Sequence, residues 1–354
     1  MRVAPLRRQV ALLSIGFVAT LILLVGVQGL LGSVDRRPAT AAPSAPVTGP
    51  PSPAGEGQPT GTPTTSSGSP DASIAPSVEG SAIPSATTPS GDAVLIGAGD
   101  IADCARDRGR ATAALIEANP GTVFTAGDNA YGQGSAAQFR DCYDPGWGRF
   151  RDRTRPAPGN HDWGTGDLAG YLGYFGAAAA PNGTSWYSYD LGTWHVVMLD
   201  STCSSVGGCD PASEQGRWLA DDLRVNQTRC TVAIWHLPRF SSGTHGNDPS
   251  VAPFWRALYD AGADLVINGH DHDYERFAPQ DPDGNLDRER GIRQFVVGTG
   301  GAELRDFPTT QPNSQVRAAI STGVIRLVLQ PLGYEWSFIS TSGAFSDSGK
   351  AACH

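Results

Sequence analysis

A stretch without aromatic residues divides the 354-residue chain. Residues 38–91 contain 12 of the 27 prolines and no Phe, Trp or Tyr. A segment rich in Pro, Ser, Thr, Ala and Gly, and lacking large apolar side chains, cannot bury enough surface to offset its chain entropy. The sequence therefore excludes one globule of 354 residues. It leaves the chain from about residue 92 to the end for a single large domain.

The N-terminal 34 residues have the pattern of a membrane-directed segment. Positions 10–31 are 22 mostly apolar residues without charge, preceded by Arg2, Arg7 and Arg8. As a helix they would extend ~33 Å, enough for a hydrocarbon core of about 30 Å. A cleavable signal has a shorter apolar region of about 7–15 residues. The basic flank places this end in the cytoplasm, so the following residues are exported.

Three regions follow from these patterns. We predict a signal-anchor (transmembrane) or signal segment over 1–34, a disordered linker over 35–91 and a folded domain over 92–354. An uncleaved membrane anchor and a cleaved signal both remain open, since Ala39-Thr40-Ala41 offers a small-residue cleavage site. The protein is therefore expected outside the cytoplasm, either anchored to the cell membrane or secreted.

Charge limits the partners of the folded domain. The whole chain carries −9, and five arginines against four acids precede residue 92, so −10 falls on the remainder. An acidic domain is repelled by a phosphate backbone, and we expect no nucleic-acid binding.

The cysteines indicate disulfides. All lie in the exported domain: Cys104, Cys142, Cys203, Cys209, Cys230 and Cys353. Their even number and the absence of a C-x-x-C pair favour disulfide bonds over a zinc site. Six cysteines allow 15 pairings. The short loop Cys203–Cys209 is the first pairing that we predict, followed by Cys104–Cys142 and Cys230–Cys353.

Short apolar runs recur along the domain, and each ends in a polar or Gly-rich turn. They occupy residues 93–96, 122–125, 194–199, 231–235, 265–267 and 294–297. Such runs are typical of buried strands. Helical patterns at 110–118 and 253–261 lie between them, and this alternation predicts an α/β layered domain. In the tail, residues 323–329 and 334–341 predict an antiparallel pair.

Acids and imidazoles follow several of these runs directly. Asp100, Asp128, His236 and His270 each come immediately after a predicted strand. The carboxyl ends of strands form the ligand crevice of an α/β sheet. We therefore expect these side chains to meet, although a lone His236 would more often be an ordinary buried histidine.

The combined residue types are those of a metal centre. Its candidate ligands are Asp100, Asp128, Asn160, His236, His270 and His272. A mixture of O and N donors suits zinc, iron or manganese better than calcium. There are too many donors for one tetrahedral zinc with an open position. They suit two ions that share a bridging carboxylate.

The same residues carry a family resemblance. Five motifs occur in order: Gly99-Asp100, Gly127-Asp128-Asn-Ala-Tyr131, Gly159-Asn160-His161-Asp162, His236 and Gly269-His270-Asp-His272. This series resembles the calcineurin-like metallophosphoesterase superfamily over roughly residues 93–301. Tyr131 resembles the purple acid phosphatase branch, whose second motif is Gly-Asp-x-x-Tyr. The chain departs from that branch at Ala233, where Val is frequent, and at Asp162, where Glu is common.

The resemblance implies a fold and a ligand assignment. The fold would be α/β (α+β), a four-layer α/β/β/α sandwich of two mixed sheets flanked by helices. The first metal, Fe(III) in the purple branch, would be bound by Asp100, Asp128, Tyr131 and His272, with Asp128 bridging. Asn160, His236 and His270 would complete the second site, which holds Zn(II), Fe(II) or Mn(II).

The implied function is that of a metal-dependent phosphoric ester hydrolase, acid phosphatase-like. Metal-bound hydroxide would attack phosphorus directly, without a phosphoenzyme. We expect a small phosphorylated monoester as substrate, with a phosphodiesterase of the same superfamily as the alternative. His161 would stabilise phosphoryl oxygens or protonate the leaving oxygen, Arg239 would contact phosphate and His245 would donate a proton. A structural His161, a surface Arg239 and a loop His245 are the alternatives.

Two other classes compete with this interpretation. Gly97-Ala-Gly99-Asp-Ile-Ala102 matches the G-x-G-x-x-A motif of NAD-binding oxidoreductases, with Glu117 20 residues after Gly97. Against it, Asp100 would place a carboxylate where the pyrophosphate approaches. The second competitor is an inactive metal-binding surface protein, which the complete ligand set disfavours.

Overall fold

The computed structural model describes residues 91–106 and 109–354. The α-helices are α1 (Gly109–Ala118), α2 (Ala136–Gln138), α3 (Ala169–Phe175), α4 (Glu214–Val225) and α5 (Ala252–Asp260). A π-helical turn spans Phe139–Tyr143, and 3-10 turns span Trp147–Arg153, Gly176–Ala178 and Pro249–Val251. The predicted segment 1–34 and the predicted linker, up to residue 90, lie outside the described residues.

The strands form two mixed sheets. They are β1 (Ala93–Ala98), β2 (Thr122–Ala126), β3 (Thr154–Ala157), β4 (Tyr187–Leu191), β5 (Trp194–Met198), β6 (Cys230–Ile234), β7 (Leu265–Asn268), β8 (Tyr274–Phe277), β9 (Arg293–Val297), β10 (Ser314–Ala318), β11 (Gly323–Gln330), β12 (Gly333–Ser340) and β13 (Ser346–Ala352). One sheet has the order β13-β12-β11-β1-β2-β3 and the other β10-β8-β9-β7-β6-β5-β4. The neighbouring strands β1-β2-β3 and β5-β6-β7-β9 are parallel.

Successive side chains of the second sheet point to opposite faces and pack into two separate core layers. Leu95 and Val123 of the first sheet share one buried cluster with Val196 and Ile234 of the second. The intervening residues of the second sheet pack with α4 and α5 in another cluster that includes Val197, Ala233, Leu219, Trp255 and Leu258. On the first sheet, α1 packs against β11. The predicted sandwich of two mixed sheets flanked by helices is confirmed.

The predicted strands are present, and the two tail strands pair as an antiparallel hairpin with Gln330 opposite Gly333. The sequence did not indicate β13, whose residues SDSGKAA are polar and half exposed. This edge strand forms through its backbone, pairing with β12 from Ser346 to Ala352. Polar edge strands of this kind lack the apolar run that marks a central strand.

All three predicted disulfides are confirmed. The Cα–Cα distances are 5.1 Å for both Cys203–Cys209 and Cys104–Cys142, and 5.6 Å for Cys230–Cys353. Cys230 begins β6 and Cys353 follows β13, so this bond connects the second sheet to the edge of the first.

Within residues 91–106 and 109–354, no helix is long and apolar enough to cross a membrane.

Candidate metal centre

The carboxyl ends of strands from both sheets meet at one place. The backbone N–H of Gly99, just after β1, donates to the carbonyl of Val297 at the end of β9 (2.9 Å). The Nδ1 atom of His236, just after β6, donates to the carbonyl of Ala126 at the end of β2 (2.9 Å). These bonds join the sheets where the predicted ligands emerge.

Three of those residues lie in the left-handed backbone region. The φ angles are 60° for Asp100, 49° for Asp128 and 71° for His270. Such conformations are costly for residues with a Cβ and cluster at functional sites. The preceding Gly127 (φ 82°) leaves space for His236, since a Cβ there would lie 2.5 Å from the imidazole Nδ1. The glycines of the motifs therefore allow the strand ends to approach one another.

Asp100, Tyr131 and His272 form one half of the site. The Tyr131 hydroxyl donates to Asp100 Oδ1 at 2.6 Å and lies 3.0 Å from His272 Nε2. His272 Nε2 is itself 3.3 Å from Asp100 Oδ1. A phenol, a carboxylate and an imidazole thus converge on a common point.

His236 is the centre of the other half. Its Nε2 atom lies 3.0 Å from Asn160 Oδ1, 3.2 Å from His270 Nδ1 and 3.3 Å from Asp128 Oδ2. Ligand atoms of Asp100, Asp128 and His236 all lie within 4.8 Å of one another, which connects the two halves. The structure therefore brings all seven predicted ligands together.

Backbone carbonyls orient two of the imidazoles. His272 donates through Nδ1 to the carbonyl of Glu303 (2.7 Å), and His236 donates through Nδ1 to that of Ala126. Both rings therefore direct Nε2 into the cluster. Hydrogen bonds to the second ring nitrogen commonly fix metal-binding histidines in this way.

Buried charge makes the cluster suitable for cations. Burial by itself raises the pKa of the Asp100 and Asp128 carboxyls, but His272 and His236 beside them lower both below their usual range. Burial opposes charging of His236, yet Asp128 raises its pKa to about 10. Burial and the charge of His236 lower the pKa of His270 to about 3. Two interior carboxylates among O and N donors fit transition-metal ions.

A second group of possible ligands does not make a metal site. Cys230, Asp264 and Cys353 also lie within 4.8 Å of one another. The two sulfurs are bonded to each other, so they are not available as thiolates.

Comparison with known proteins decides the family. The model of the calcineurin-like phosphoesterase family matches residues 93–274, about half of the chain. The chain belongs to this family. Its purple acid phosphatase-like branch, predicted from Tyr131, is also supported by relatives. Purple acid phosphatase 15 of Arabidopsis thaliana is 30% identical over 199 residues, covering 46% of this chain and 37% of the relative.

Other relatives extend the comparison. An uncharacterized protein of Mycobacterium tuberculosis is 30% identical over 207 residues, covering 48% of this chain and 39% of its own length. The chain thus spans about two fifths of these curated relatives. The chain also matches the solved structure of a purple acid phosphatase from yellow lupin seeds. The TM-score is 0.58 at 20% identity, and the match covers 74% of this chain and 54% of that one.

Family membership has two consequences here. A metal-dependent phosphoric ester hydrolase is the enzyme class of this phosphoesterase family, as predicted, and the family with its purple acid phosphatase relatives implies two divalent or transition-metal ions. The NAD-binding interpretation is wrong. The helix after Gly97-Ala-Gly99 begins only at Gly109, and Asp100 is turned into the cluster.

His161 and His245 lie beside the cluster of seven predicted ligands. The backbone N–H of His161 donates to Asp128 Oδ1 (2.8 Å), and its ring lies 4.6 Å from that of Tyr131. The His161 side chain is 39% exposed. The His245 ring stacks on His270 at 4.2 Å between centroids. Both imidazoles are therefore placed to contact a molecule bound at the cluster.

Arg239 lines a groove that contains none of the proposed metal ligands. Its guanidinium lies over the Phe240 ring at 4.6 Å, in a groove that it lines with Pro211, Pro249 and Pro253. Its position gives no support to the predicted phosphate contact. Sequence proximity to His236 suggested the role, but the groove that Arg239 lines includes none of the seven proposed ligands.

Two residues near the cluster had no predicted role. Buried Asp162 accepts hydrogen bonds from Gly159 N–H and Asn129 Nδ2 (both 2.9 Å), so it connects the second and third motif loops. Burial and the charge of Asp128 raise its pKa to about 7. Arg305 is hydrogen-bonded to His272 through its backbone. The position of Asp162 next to His161 in the third motif could have indicated its role. No sequence motif indicated a role for Arg305.

Proposed function

We propose that this protein is a purple acid phosphatase-like phosphomonoesterase that acts outside the cytoplasm with two metal ions. The convergence of Asp100, Asp128 and His236 within 4.8 Å, with Tyr131 against Asp100, carries this proposal. The proposed ligands are Asp100, Asp128, Tyr131 and His272 for Fe(III), and Asp128, Asn160, His236 and His270 for Zn(II), Fe(II) or Mn(II).

The chemistry divides between the metals and the protein. When bound, such a pair of ions lowers the pKa of a water and neutralises phosphoryl charge. Asp128 lies between the two halves, because its Oδ2 is 3.3 Å from His236 and ligand atoms of Asp100, Asp128 and His236 all lie within 4.8 Å of one another.

His161 is the proposed proton-handling residue. Its Nδ1 donates to the carbonyl of Gly132 (2.8 Å), which leaves Nε2 free to face a substrate. The His161 side chain is partly exposed, and its Nε2 is 3.8 Å from Asp128 Oδ2. At that atom His161 can hold a proton, bind a phosphoryl oxygen and pass the proton to the leaving oxygen. His245, stacked on His270, is the second such candidate.

A small phosphorylated molecule is the proposed substrate. The −10 charge of the chain after residue 91 repels long polyanions, whereas two multivalent cations would reverse the local charge for one phosphate. This balance favours a small ester over nucleic acid.

The proposed location follows from the covalent structure and the N-terminus. The three disulfides are consistent with an oxidising, extracytoplasmic compartment. The apolar residues 10–31 would direct export, either as a membrane anchor or as a cleaved signal.

Metal analysis with a visible spectrum tests the proposal. We expect two metal ions per chain and a tyrosinate-to-iron absorption band that disappears in Tyr131→Phe. Tyr259→Phe is the matched control, because its hydroxyl binds Asp287 on the surface. 4-Nitrophenyl phosphate and bis(4-nitrophenyl) phosphate are assayed in parallel. A colourless, zinc-only active enzyme would contradict the purple type, and preference for the diester would contradict the monoesterase.

A further inference from the structure

Arg305 is held beside the cluster by its backbone. Its N–H donates to the carbonyl of His272 (3.0 Å), and the carbonyl of Glu303 accepts from His272 Nδ1. The segment 303–305 thus contacts His272 through two main-chain groups. The placement of Arg305 does not depend on its own side chain.

The Arg305 guanidinium reaches the exposed side of the histidines. Its Nη1 contacts His245 Nε2, and the His245 ring stacks on His270 at 4.2 Å. His245 is fixed in turn, since its N–H donates to Asp271 Oδ1 (2.7 Å). One imidazole therefore separates the guanidinium from a proposed metal ligand.

The charge of Arg305 has no acidic partner in the part of the chain that the structure describes. The nearby Glu303 carboxylate pairs instead with Arg106 at 2.7 Å. Among the described carboxylates, none lies within 4.0 Å of the Arg305 guanidinium. A half-buried guanidinium is thus available for an anion from solution.

We propose that Arg305, together with His245, binds the phosphoryl oxygens of the substrate and favours a monoester dianion over a diester monoanion. The inference rests on the proposed phosphoesterase function. A guanidinium binds phosphate through two parallel N–H groups, and its attraction grows with the charge of the phosphate. A monoester carries one more negative charge and one more terminal oxygen than a diester, so it gains more from this cation.

Arg305→Met and Arg305→Lys test the proposal in the metal-loaded, full-length protein. Both keep the backbone N–H that binds His272. Calorimetry with inorganic phosphate should show ~10- to 100-fold weaker binding to Arg305→Met, with part of the affinity restored in Arg305→Lys. KM for 4-nitrophenyl phosphate should rise by a similar factor, while KM for bis(4-nitrophenyl) phosphate changes less. Arg224→Met, an exposed arginine on α4 paired with Asp221, is the control.

The outcomes separate the possible failures. Unchanged phosphate affinity in Arg305→Met would overturn the proposal. Loss of metal from that variant would overturn it too, because Arg305 would then act by positioning His272. If the wild type hydrolyses neither ester, the proposed function fails, and phosphate calorimetry still decides whether Arg305 binds the anion.

Discussion

Single carboxylates decide the chemistry at the scale of the residue. Asp128 accepts a hydrogen bond from the His161 N–H through Oδ1 and contacts His236 through Oδ2, and in the proposed assignment it is the ligand that both metals share. Asp128→Ala should remove both metals and reduce phosphatase activity by at least ~10³-fold. Metal content and turnover are measured beside Asp221→Ala, an exposed acid on α4. Activity that persisted in Asp128→Ala would show that the assigned centre is wrong.

Asp162 acts on the shape of the site. Its carboxylate accepts hydrogen bonds from Gly159 and from the backbone and side chain of Asn129. Asp162→Ala leaves these donors unpaired in the interior and should lower the free energy of unfolding by about 2–4 kcal/mol. Urea unfolding measures the loss. Asp152→Ala on the exposed surface is the control, and equal stabilities of the two variants would contradict the role.

Elements differ in how far the sequence predicts them. The central strands β1, β2, β6 and β7 were predictable because both faces are buried, which produces continuous apolar runs. Six of the seven proposed ligands were proposed from their residue types and from the position of several of them after predicted strands, whereas Tyr131 was proposed only from the family resemblance. The role of Arg305 was not predictable, since the segment after β9 reaches His272 only through long-range pairing of β9 with β7 and β8.

A buried histidine between β4, β5 and α4 makes the stability pH-dependent. His195 lies 2.8 Å from Asp222 and 3.2 Å from Asp190. Burial by itself lowers the pKa of His195, but these carboxylates raise it above 6.5. The stabilising contribution is therefore complete below the unfolded pKa near 6.5 and is lost as pH rises through the folded value.

His195→Gln tests this contribution. The free energy of unfolding of the wild type, from urea titrations between about pH 5.5 and 9, should fall more steeply with pH than that of the variant. Identical slopes would show that His195 does not titrate with folding.

At the scale of the molecule, the described domain contains every residue of the proposed metal centre. The seven ligands, all six cysteines and both core clusters lie after residue 91. A chain of residues 91–354 exported to an oxidising compartment should therefore keep the wild-type kcat and a Tm within about 3 °C. Calorimetry and phosphatase assays compare it with the full chain. A large loss of Tm would show that residues 1–90 stabilise the domain.

Metal binding should be a major part of this molecule's stability. Without cations, the buried Asp100 and Asp128 carboxylates lie close together in the interior, with imidazoles, the Tyr131 hydroxyl and backbone N–H groups as their partners. An ion at 1,000 times its Kd stabilises the folded state by about 4 kcal/mol, which corresponds to a Tm shift of about 8–16 °C in a domain of this size. Chelation should lower Tm by this amount, and metal should restore it. Asp128→Ala, which lacks the proposed bridging ligand, should show no such shift. A wild-type protein that lost its metals without a change in Tm would mean that the carboxylates do not need cations to stay buried.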